Sequence, residues 1–160
     1  MNELDIDEEY EAFGRTLIPY VPGEVPAQFC YVEEVGDDKE VITALRNALT
    51  TVPMLVWEAL DEQLENGRRD NYTSLMTGGL AVLYKTDDSI SGRRQARRLA
   101  RAAVLALLEA IREVSDRYEL PFSAVLENDR LPLNRTPQVG SGWYGMAVAF
   151  NWRMPLGSRF

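Results

Sequence analysis

The chain contains no histidine, which removes the side chain that most often acts as a catalytic base or a zinc ligand. Catalytic sites of the Ser-His-Asp and Cys-His types, and the H-E-x-x-H zinc site, are therefore excluded. The one cysteine, Cys30, rules out an internal disulfide. Its apolar context, QFCYV, indicates a buried small side chain rather than a reactive thiol.

Long apolar runs are also missing, since no stretch reaches the roughly 18 residues that a membrane-spanning helix needs. We therefore expect no membrane partner. The first residues, MNELDIDEEYEAF, are acidic rather than basic and then apolar, so we expect no secretory signal. A length of 160 residues with 46% hydrophobic and 26% charged side chains is typical of one globular domain.

A glycine motif and several carboxylates are the remaining candidates for chemistry. Gly140 to Gly145, GSGWYG, matches G-x-G-x-x-G, but a Pro-containing loop precedes it and a predicted strand follows. A dinucleotide-binding site needs a strand before the glycines and a helix after them. The glycines therefore favour a sharp turn of the chain, and no cofactor is predicted. The acids that could bind Mg²⁺ are Asp61, Glu62, Glu65, Asp87 and Asp88. We interpret them as a solvent-exposed acidic edge, so we predict neither a catalytic site nor a metal site.

Charge is distributed unevenly along the chain. Residues 1–65 hold 16 acidic and 3 basic side chains, whereas residues 66–160 hold 9 acidic and 14 basic ones. Such an asymmetry can orient subunits of an assembly, or it can form two solvated faces of a monomer. Of the 17 basic residues only Lys39 and Lys85 are lysines, and arginine is enriched at protein interfaces.

A cluster of arginines near the start of a predicted helix is the sharpest local anomaly. Cations at a helix N-terminus oppose the helix dipole by roughly 0.3 to 1 kcal/mol each. Three interpretations stay open: a solvated face, a face that meets acids of a neighbouring subunit, and a DNA-facing surface. The acidic balance of the chain argues against a dedicated nucleic-acid binder. The cluster comprises Arg93, Arg94, Arg97, Arg98 and Arg101.

Hydrophobic periodicity predicts an α+β domain. We expect a mixed or antiparallel sheet of about four to five strands with two helices packed on it, in the order α-β-β-α-β, after an extended N-terminal arm. Residues 1–28 are acidic and carry three prolines between positions 19 and 26, which favours an arm. Residues 29–160 form the domain. Its predicted elements are a short strand at 29–35, a helix at 40–49, strands at 52–65 and 74–85, a helix at 92–118, and strands at 120–126 and 143–152.

The two strongest patterns also predict which side chains face the core. In the helix at 92–118, Leu99, Ala103, Ala106 and Ala110 share one stripe, and the helix centre is apolar almost all round. The stripe is widened by Val104, Leu107, Leu108, Ile111 and Val114. This implies burial on more than one side, by the sheet and by either a neighbouring subunit or the N-terminal arm. In the strands, alternation places Leu60 with Val56 and Glu58, and makes the better core face of the last strand Tyr144, Met146, Val148, Phe150 and Trp152.

This order of elements resembles that of the tail terminator proteins of long-tailed phages and of related tail-completion proteins in contractile tails and phage-like particles. The residues that carry the resemblance are VPMLV at 52–56, GLAVLY at 79–84, the helix from Arg93 to Val114 and the aromatic strand from Trp143 to Trp152. The resemblance covers roughly residues 38–155 and lies in architecture rather than in a signature motif.

The resemblance implies a structural virion protein without catalytic residues. It would be made in the host cytoplasm and located in the tail or neck of the virion. It would form a ring, commonly a hexamer, that caps the last ring of tail tube protein, ends tail polymerisation and offers a surface for head–tail joining. Expected partners are other copies of the chain, the tail tube protein and a head–tail connector or neck protein, with a passing contact to DNA in the lumen left open.

Other functions stay in view beside the tail terminator. Another neck or head–tail connector component is the nearest alternative, and a small metal-dependent enzyme or a monomeric binding module is a remote one. The predicted interface draws on the arginine cluster, the loop at 66–71 and the irregular stretch at 129–142. Its residues are Arg93, Arg94, Arg97, Arg98, Arg101, Arg68, Arg69, Arg130, Arg135 and Trp143.

Overall fold

The computed structural model describes residues 6–66, 72–127 and 130–155. Within them, the chain forms three α-helices, six strands and two short 3-10 turns at Ile18–Tyr20 and Pro121–Ser123. The helices are α1 (Ile6–Thr16), α2 (Lys39–Arg46) and α3 (Ile90–Asp116). The strands are β1 (Gln28–Val32), β2 (Met54–Asn66), β3 (Tyr72–Lys85), β4 (Val125–Leu126), β5 (Leu133–Arg135) and β6 (Trp143–Pro155).

One mixed sheet organises the fold. Its strand order is β1-β2-β3-β6-β4, and β5 also pairs with β6, beside the half of that strand nearer its start. The long strands β2, β3 and β6 are antiparallel neighbours, whereas β1 runs parallel to β2. The predicted α+β class with a mixed sheet and helices is therefore confirmed. The described residues contain six strands and three helices, more of each than the sequence predicts.

Both faces of the sheet carry a hydrophobic core. On the larger face, α1 packs over β2, and α3 packs over β3 and β6. On the other face, Val41 and Leu45 of α2 pack with Val56, Leu83 and Trp143. The predicted core face of β6 is confirmed, since Met146, Val148, Phe150 and Trp152 are buried in the larger core.

Helix α3 begins two residues before the predicted start because Ser89 caps it, its Oγ accepting a hydrogen bond from the Gly92 main-chain N–H at 3.0 Å. Ala103 and Ala110 are buried as predicted. Leu99, assigned to the same stripe, is 43% exposed, so that assignment was wrong. Val104, Leu107 and Ile111, which were predicted to widen this stripe, are buried in the larger core together with Ala100, so the buried face is rotated away from Leu99.

The expectation of an extended N-terminal arm was wrong for the described part of residues 1–28, because residues 6–16 form helix α1. Ile6, Tyr10 and Phe13 recur at helical spacing, and acids in the first turn complement the helix dipole. Tyr10 is completely buried in the larger core. The prolines act only after the helix has ended, where the chain passes through the 3-10 turn and returns to β1.

A β-bulge in β2 changes the predicted orientation of Leu60. The pairing register between β2 and β3 shifts between Glu58 and Asp61. An extra residue in one strand reverses the side-chain alternation beyond it. Leu60 consequently packs on the larger core, the side of Trp57, rather than with Val56.

The region after α3 is more regular than the sequence indicates. The strand predicted at 120–126 shortens to β4, after the 3-10 turn. The irregular stretch predicted at 128–142 contains β5, which pairs with β6. Gly140 and Gly142 have φ of +58° and +76° and turn the chain into β6, as the glycine motif predicts.

Candidate interaction surface

An arginine-lined cleft of about 680 Å³ lies between the first half of α3 and β5. We call it the arginine cleft. Successive turns of α3 carry five guanidinium groups to one side of the helix, and β5 adds a sixth. Apolar side chains of α3, β5 and β6 also line the cleft. The lining residues are Arg93, Arg94, Arg97, Arg98, Arg101 and Arg135, with Ile90, Leu133 and Met146.

Tyr144 of β6 positions two of these arginines. The Cζ atoms of Arg93 and Arg97 lie 5.9 Å and 5.5 Å from the centroid of its ring, within cation–π range. The Tyr144 hydroxyl donates a hydrogen bond to Asp88 at 3.0 Å. Arg97 also donates from Nη2 to the main-chain oxygen of Thr136 at 3.2 Å. The inner arginines are thus fixed by the sheet, which reduces the entropy lost when they bind.

The arginines of the cleft form no ion pair with any of the described residues. The ion pairs among the described residues involve Arg15, Arg117 and Arg153 instead. The Nε atoms of Arg93 and Arg97 are buried without a hydrogen-bond partner. The positive end of the α3 dipole lies at the same place. The cleft is therefore suited to bind carboxylates or another anionic group.

The structure brings together six of the ten predicted interface residues. Arg130 is exposed but does not line the arginine cleft. Trp143 requires a correction, because it is only 2% exposed and packs in the core beneath α2. Alternation places it on the opposite face of β6 from Met146, which the sequence does indicate. Arg68 and Arg69 lie outside the described residues.

Beyond Leu133 the groove beside α3 continues with a different character. A second depression of about 610 Å³ is lined by apolar residues and by charges of both signs. Leu105 is 43% exposed there, so the second half of α3 keeps an uncovered apolar strip in the single chain. The lining residues are Leu105, Leu108, Glu109, Arg112, Glu113, Asp116, Leu131 and Leu133.

An acidic turn projects beside the opposite edge of the sheet, between β1 and α2. Residues 33–38, EEVGDD, hold four exposed acids, and we call this segment the acidic turn. Glu40 fixes its start by accepting the main-chain N–H groups of Glu33 and Glu34 at 3.1 and 3.2 Å. Gly36 has a φ of +94°, and no atom lies within 4 Å of where a Cβ would be.

The acids of this turn were not among the predicted interface residues, although they directly follow Val32, the last residue of β1. The feature of the sequence that could have indicated this turn is the high density of acidic residues in residues 1–65. What the sequence could not give is the strand order, which separates this turn from the arginine cleft across the sheet. The exposed side chain of Val35, 47% accessible, lies between the two pairs of acids.

The described residues contain no group of three or more Cys, Asp and Glu side chains that could hold a metal ion. Hydrogen bonds from Ser89 lower the pKa of Asp87, and Asp88 accepts the bond from Tyr144. Cys30 is buried as predicted, and burial raises its pKa, which disfavours the reactive thiolate. The prediction that the chain is not an enzyme stays a prediction.

No helix within the described ranges is both long and apolar enough to cross a membrane. Comparison of the chain with models of protein families and with curated proteins finds no match.

Proposed function

We propose that this protein is a structural component of a phage-like tail, a ring of identical subunits that caps the tail tube. The ring would end tube polymerisation and present a surface for joining to the head. This proposal rests on the resemblance to tail terminator proteins in the order of helices and strands. The confirmed α+β class is compatible with it.

The observation that favours assembly over a monomeric role is the uncompensated arginine cleft. Six guanidinium groups lie around an apolar floor, and the described residues supply no carboxylate to pair with them. A merely solvated basic face would not need an aromatic ring beneath two of its arginines. Fixed arginines beside exposed apolar side chains are typical of protein interfaces.

The neck offers a second position for the same kind of ring. A head–tail connector component would use the same arginine cleft and the same uncovered strip of α3. The two roles differ in the neighbour that the ring contacts, tail tube on one side or connector on the other.

Reconstruction of the assembled particle is the direct test of the proposed function. We expect this chain as a closed ring at the head-proximal end of the tail tube. Deletion of its gene should give tails of abnormal length, or tails not joined to heads, with heads and tube subunits made in normal amounts. Normal joined tails in the deletion strain, or an isolated single copy in the particle, would contradict the proposal.

A charge-reversal variant tests whether the arginine cleft serves assembly. Arg94→Glu combined with Arg98→Glu reverses two exposed arginines while leaving Arg93 and Arg97 on Tyr144. We expect loss of particle incorporation with an unchanged circular dichroism spectrum. The matched control is Arg46→Glu with Arg117→Glu, which makes the same charge change at two exposed positions outside the cleft and outside the uncovered strip of α3. Equal incorporation of the two variants would show that the cleft is not an assembly surface.

A further inference from the structure

We infer that the arginine cleft of one subunit receives the acidic turn of a second copy of the chain. The inference rests on the proposed ring, and it specifies which two surfaces meet within it. A contact between the arginine cleft of one copy and the acidic turn of the next uses two different surfaces of the chain. It is therefore heterologous, and repetition of it closes into a ring when the rotation between subunits allows.

The two surfaces match in charge. The acidic turn presents Glu33, Glu34, Asp37 and Asp38, and the arginine cleft presents six arginines. No ion pair within the described ranges uses any of these side chains. Guanidinium groups bind carboxylates through two parallel hydrogen bonds, which gives direction as well as attraction. Each surface thus lacks a partner that the other can supply.

The two surfaces also match in their apolar parts. Val35 stands exposed between the two pairs of acids in the acidic turn. The floor of the arginine cleft contains Leu133 and Met146, and Ile90 stands 62% exposed at its rim. Packing of Val35 against Leu133 and Met146 would bury an apolar contact, and the carboxylates on either side of Val35 would pair with the surrounding arginines. That arrangement, an apolar centre with a polar rim, is usual at protein interfaces.

The sheet places the two surfaces on opposite sides of the subunit. The acidic turn follows β1, the first strand in the sheet order, whereas the arginine cleft lies beside β5, which pairs with β6 near the other end. A turn and cleft on the same side would favour a two-fold dimer or contact within one chain. Their separation across the sheet favours head-to-tail contacts between successive subunits.

The acidic turn is already shaped for insertion. Glu40 holds its start through two main-chain hydrogen bonds, and Asp37 Oδ1 accepts the Lys39 main-chain N–H at 2.9 Å. All six residues of the turn are exposed, and a side chain at Gly36 would contact no other part of the subunit within 4 Å. Both surfaces are ordered before contact, so association loses less conformational entropy than it would with a disordered segment.

Nucleic acid fits the arginine cleft less well than a carboxylate-bearing turn. A phosphate backbone that followed α3 would leave the cleft and meet Glu109, Glu113 and Asp116 in the adjoining depression. The net charge of −8 also repels a polyanion at long range. A short acidic turn requires only the cleft itself.

The test uses two charge-reversal variants of the whole chain. The cleft variant is Arg94→Glu with Arg98→Glu, and the turn variant is Glu33→Lys with Glu34→Lys. Neither pair of side chains holds the fold, since all four are exposed and none forms a hydrogen bond among the described residues beyond those of its main chain. Self-association is measured by sedimentation velocity and native mass spectrometry at low ionic strength, with melting temperatures as the folding check.

Each variant alone should associate with itself about 100-fold more weakly than the wild-type chain, because like charges then face each other. An equimolar mixture of the two should recover association, since the unchanged turn of one meets the unchanged cleft of the other, and the reversed turn meets the reversed cleft. Recovery in the mixture is an outcome that a general loss of stability cannot produce.

A matched control reverses two other exposed acids, Asp61→Lys with Glu62→Lys, on β2. It should associate with itself as the wild-type chain does, because its arginine cleft and its acidic turn are both unchanged. The inference is overturned if the mixture of cleft and turn variants fails to associate, if the β2 control loses self-association as the turn variant does, or if the wild-type chain stays monomeric at millimolar concentration. A ring in the particle built on other contacts would overturn the inference and leave the proposed function standing.

A nucleic-acid alternative is tested with the same proteins. Binding of a labelled DNA duplex to the wild-type chain, lost in the cleft variant and unchanged in the turn variant, would overturn the inference in favour of a DNA-facing cleft. We expect no such binding at physiological ionic strength, where exposed charges are screened beyond about 8 Å.

Discussion

Trp57 donates its indole N–H to the main-chain oxygen of Tyr10 at 3.0 Å, and the two rings stack with centroids 4.7 Å apart. The contact joins α1 to β2 across a sequence separation of 47 residues. It satisfies the one polar group of a completely buried tryptophan. Tyr10 also packs edge-on against Trp152 of β6, so one aromatic cluster ties the N-terminal helix to both long antiparallel neighbours of β3.

Removal of the Tyr10 ring should destabilise the protein strongly. Tyr10→Ala leaves a cavity among Trp57, Trp152 and the surrounding core, and such a truncation costs about 3 to 5 kcal/mol. Tyr10→Phe is the matched control. The Tyr10 hydroxyl is buried without a hydrogen-bond partner, so its removal should leave stability unchanged or raise it.

Chemical denaturation of the three proteins checks this prediction through the free energy of unfolding. A loss in Tyr10→Phe as large as that in Tyr10→Ala would mean that the hydroxyl, rather than the ring, supports α1. A small loss in Tyr10→Ala would mean that α1 is not held by the aromatic cluster.

Gly14 is required by the closeness of α1 to Trp57. A Cβ at this position would lie 2.5 Å from Cδ1 of the Trp57 ring, which the hydrogen bond to Tyr10 holds in place. Alanine favours a helix over glycine by about 1 kcal/mol, but overpacking in a core costs about 1 to 3 kcal/mol. Gly14→Ala should therefore lower the melting temperature.

The control for Gly14 is Glu9→Ala, which places alanine at an exposed position of the same helix. We expect it to change the melting temperature only slightly. Stabilisation of the fold by Gly14→Ala would show that α1 stands farther from β2 than the contact with Trp57 implies.

Glu58 should make stability depend on pH. Burial, and then the charge of Asp38, raise the pKa of its carboxyl group above the ordinary glutamate value. The folded chain therefore holds this proton more tightly than the unfolded chain does. The stability that this contributes is fully present below the ordinary pKa of about 4.3 and is lost as pH rises through the raised pKa of the folded state.

Glu58→Gln keeps the shape of the side chain and removes the ionisation. We expect it to raise the melting temperature relative to the wild-type chain at neutral pH, with the gain shrinking toward about pH 4. Glu62→Gln, exposed on the same strand, is the control and should show no such trend. A gain for Glu58→Gln that stays constant across this range would show that ionisation is not its cause.

Local pattern predicts the central part of the fold well. The hairpin of β2 and β3, helix α3 and strand β6 each carry a long periodic signal, and each lies close to its predicted range. The N-terminal helix was missed because dense acids and nearby prolines outweighed the recurrence of Ile6, Tyr10 and Phe13. This helix is stabilised by packing against Trp57, which lies too far along the chain for a local sequence pattern to include it.

The features that local sequence patterns did not predict depend on pairing between strands that are distant in sequence. The bulge that reorients Leu60 is a feature of the register between β2 and β3, and the three residues of β5 become a strand only beside β6. The arginine cleft has the same origin. Periodicity predicts that the five arginines occupy two adjacent faces of the helix. The cleft arises because β5 brings Arg135 opposite them and β6 places Tyr144 beneath two of them.

Tyr144 should act as a positioning residue for the arginine cleft. Tyr144→Leu removes the ring under Arg93 and Arg97, each contact being worth about 0.5 to 1 kcal/mol, and self-association should weaken about 10-fold. Tyr144→Phe keeps the ring and loses the hydrogen bond to Asp88, so it should associate nearly as the wild-type chain does. Sedimentation velocity measures both, with melting temperatures to separate association from folding. Equal loss in the two variants would assign the role to the hydroxyl, and unchanged association in Tyr144→Leu would show that the arginines need no support from β6.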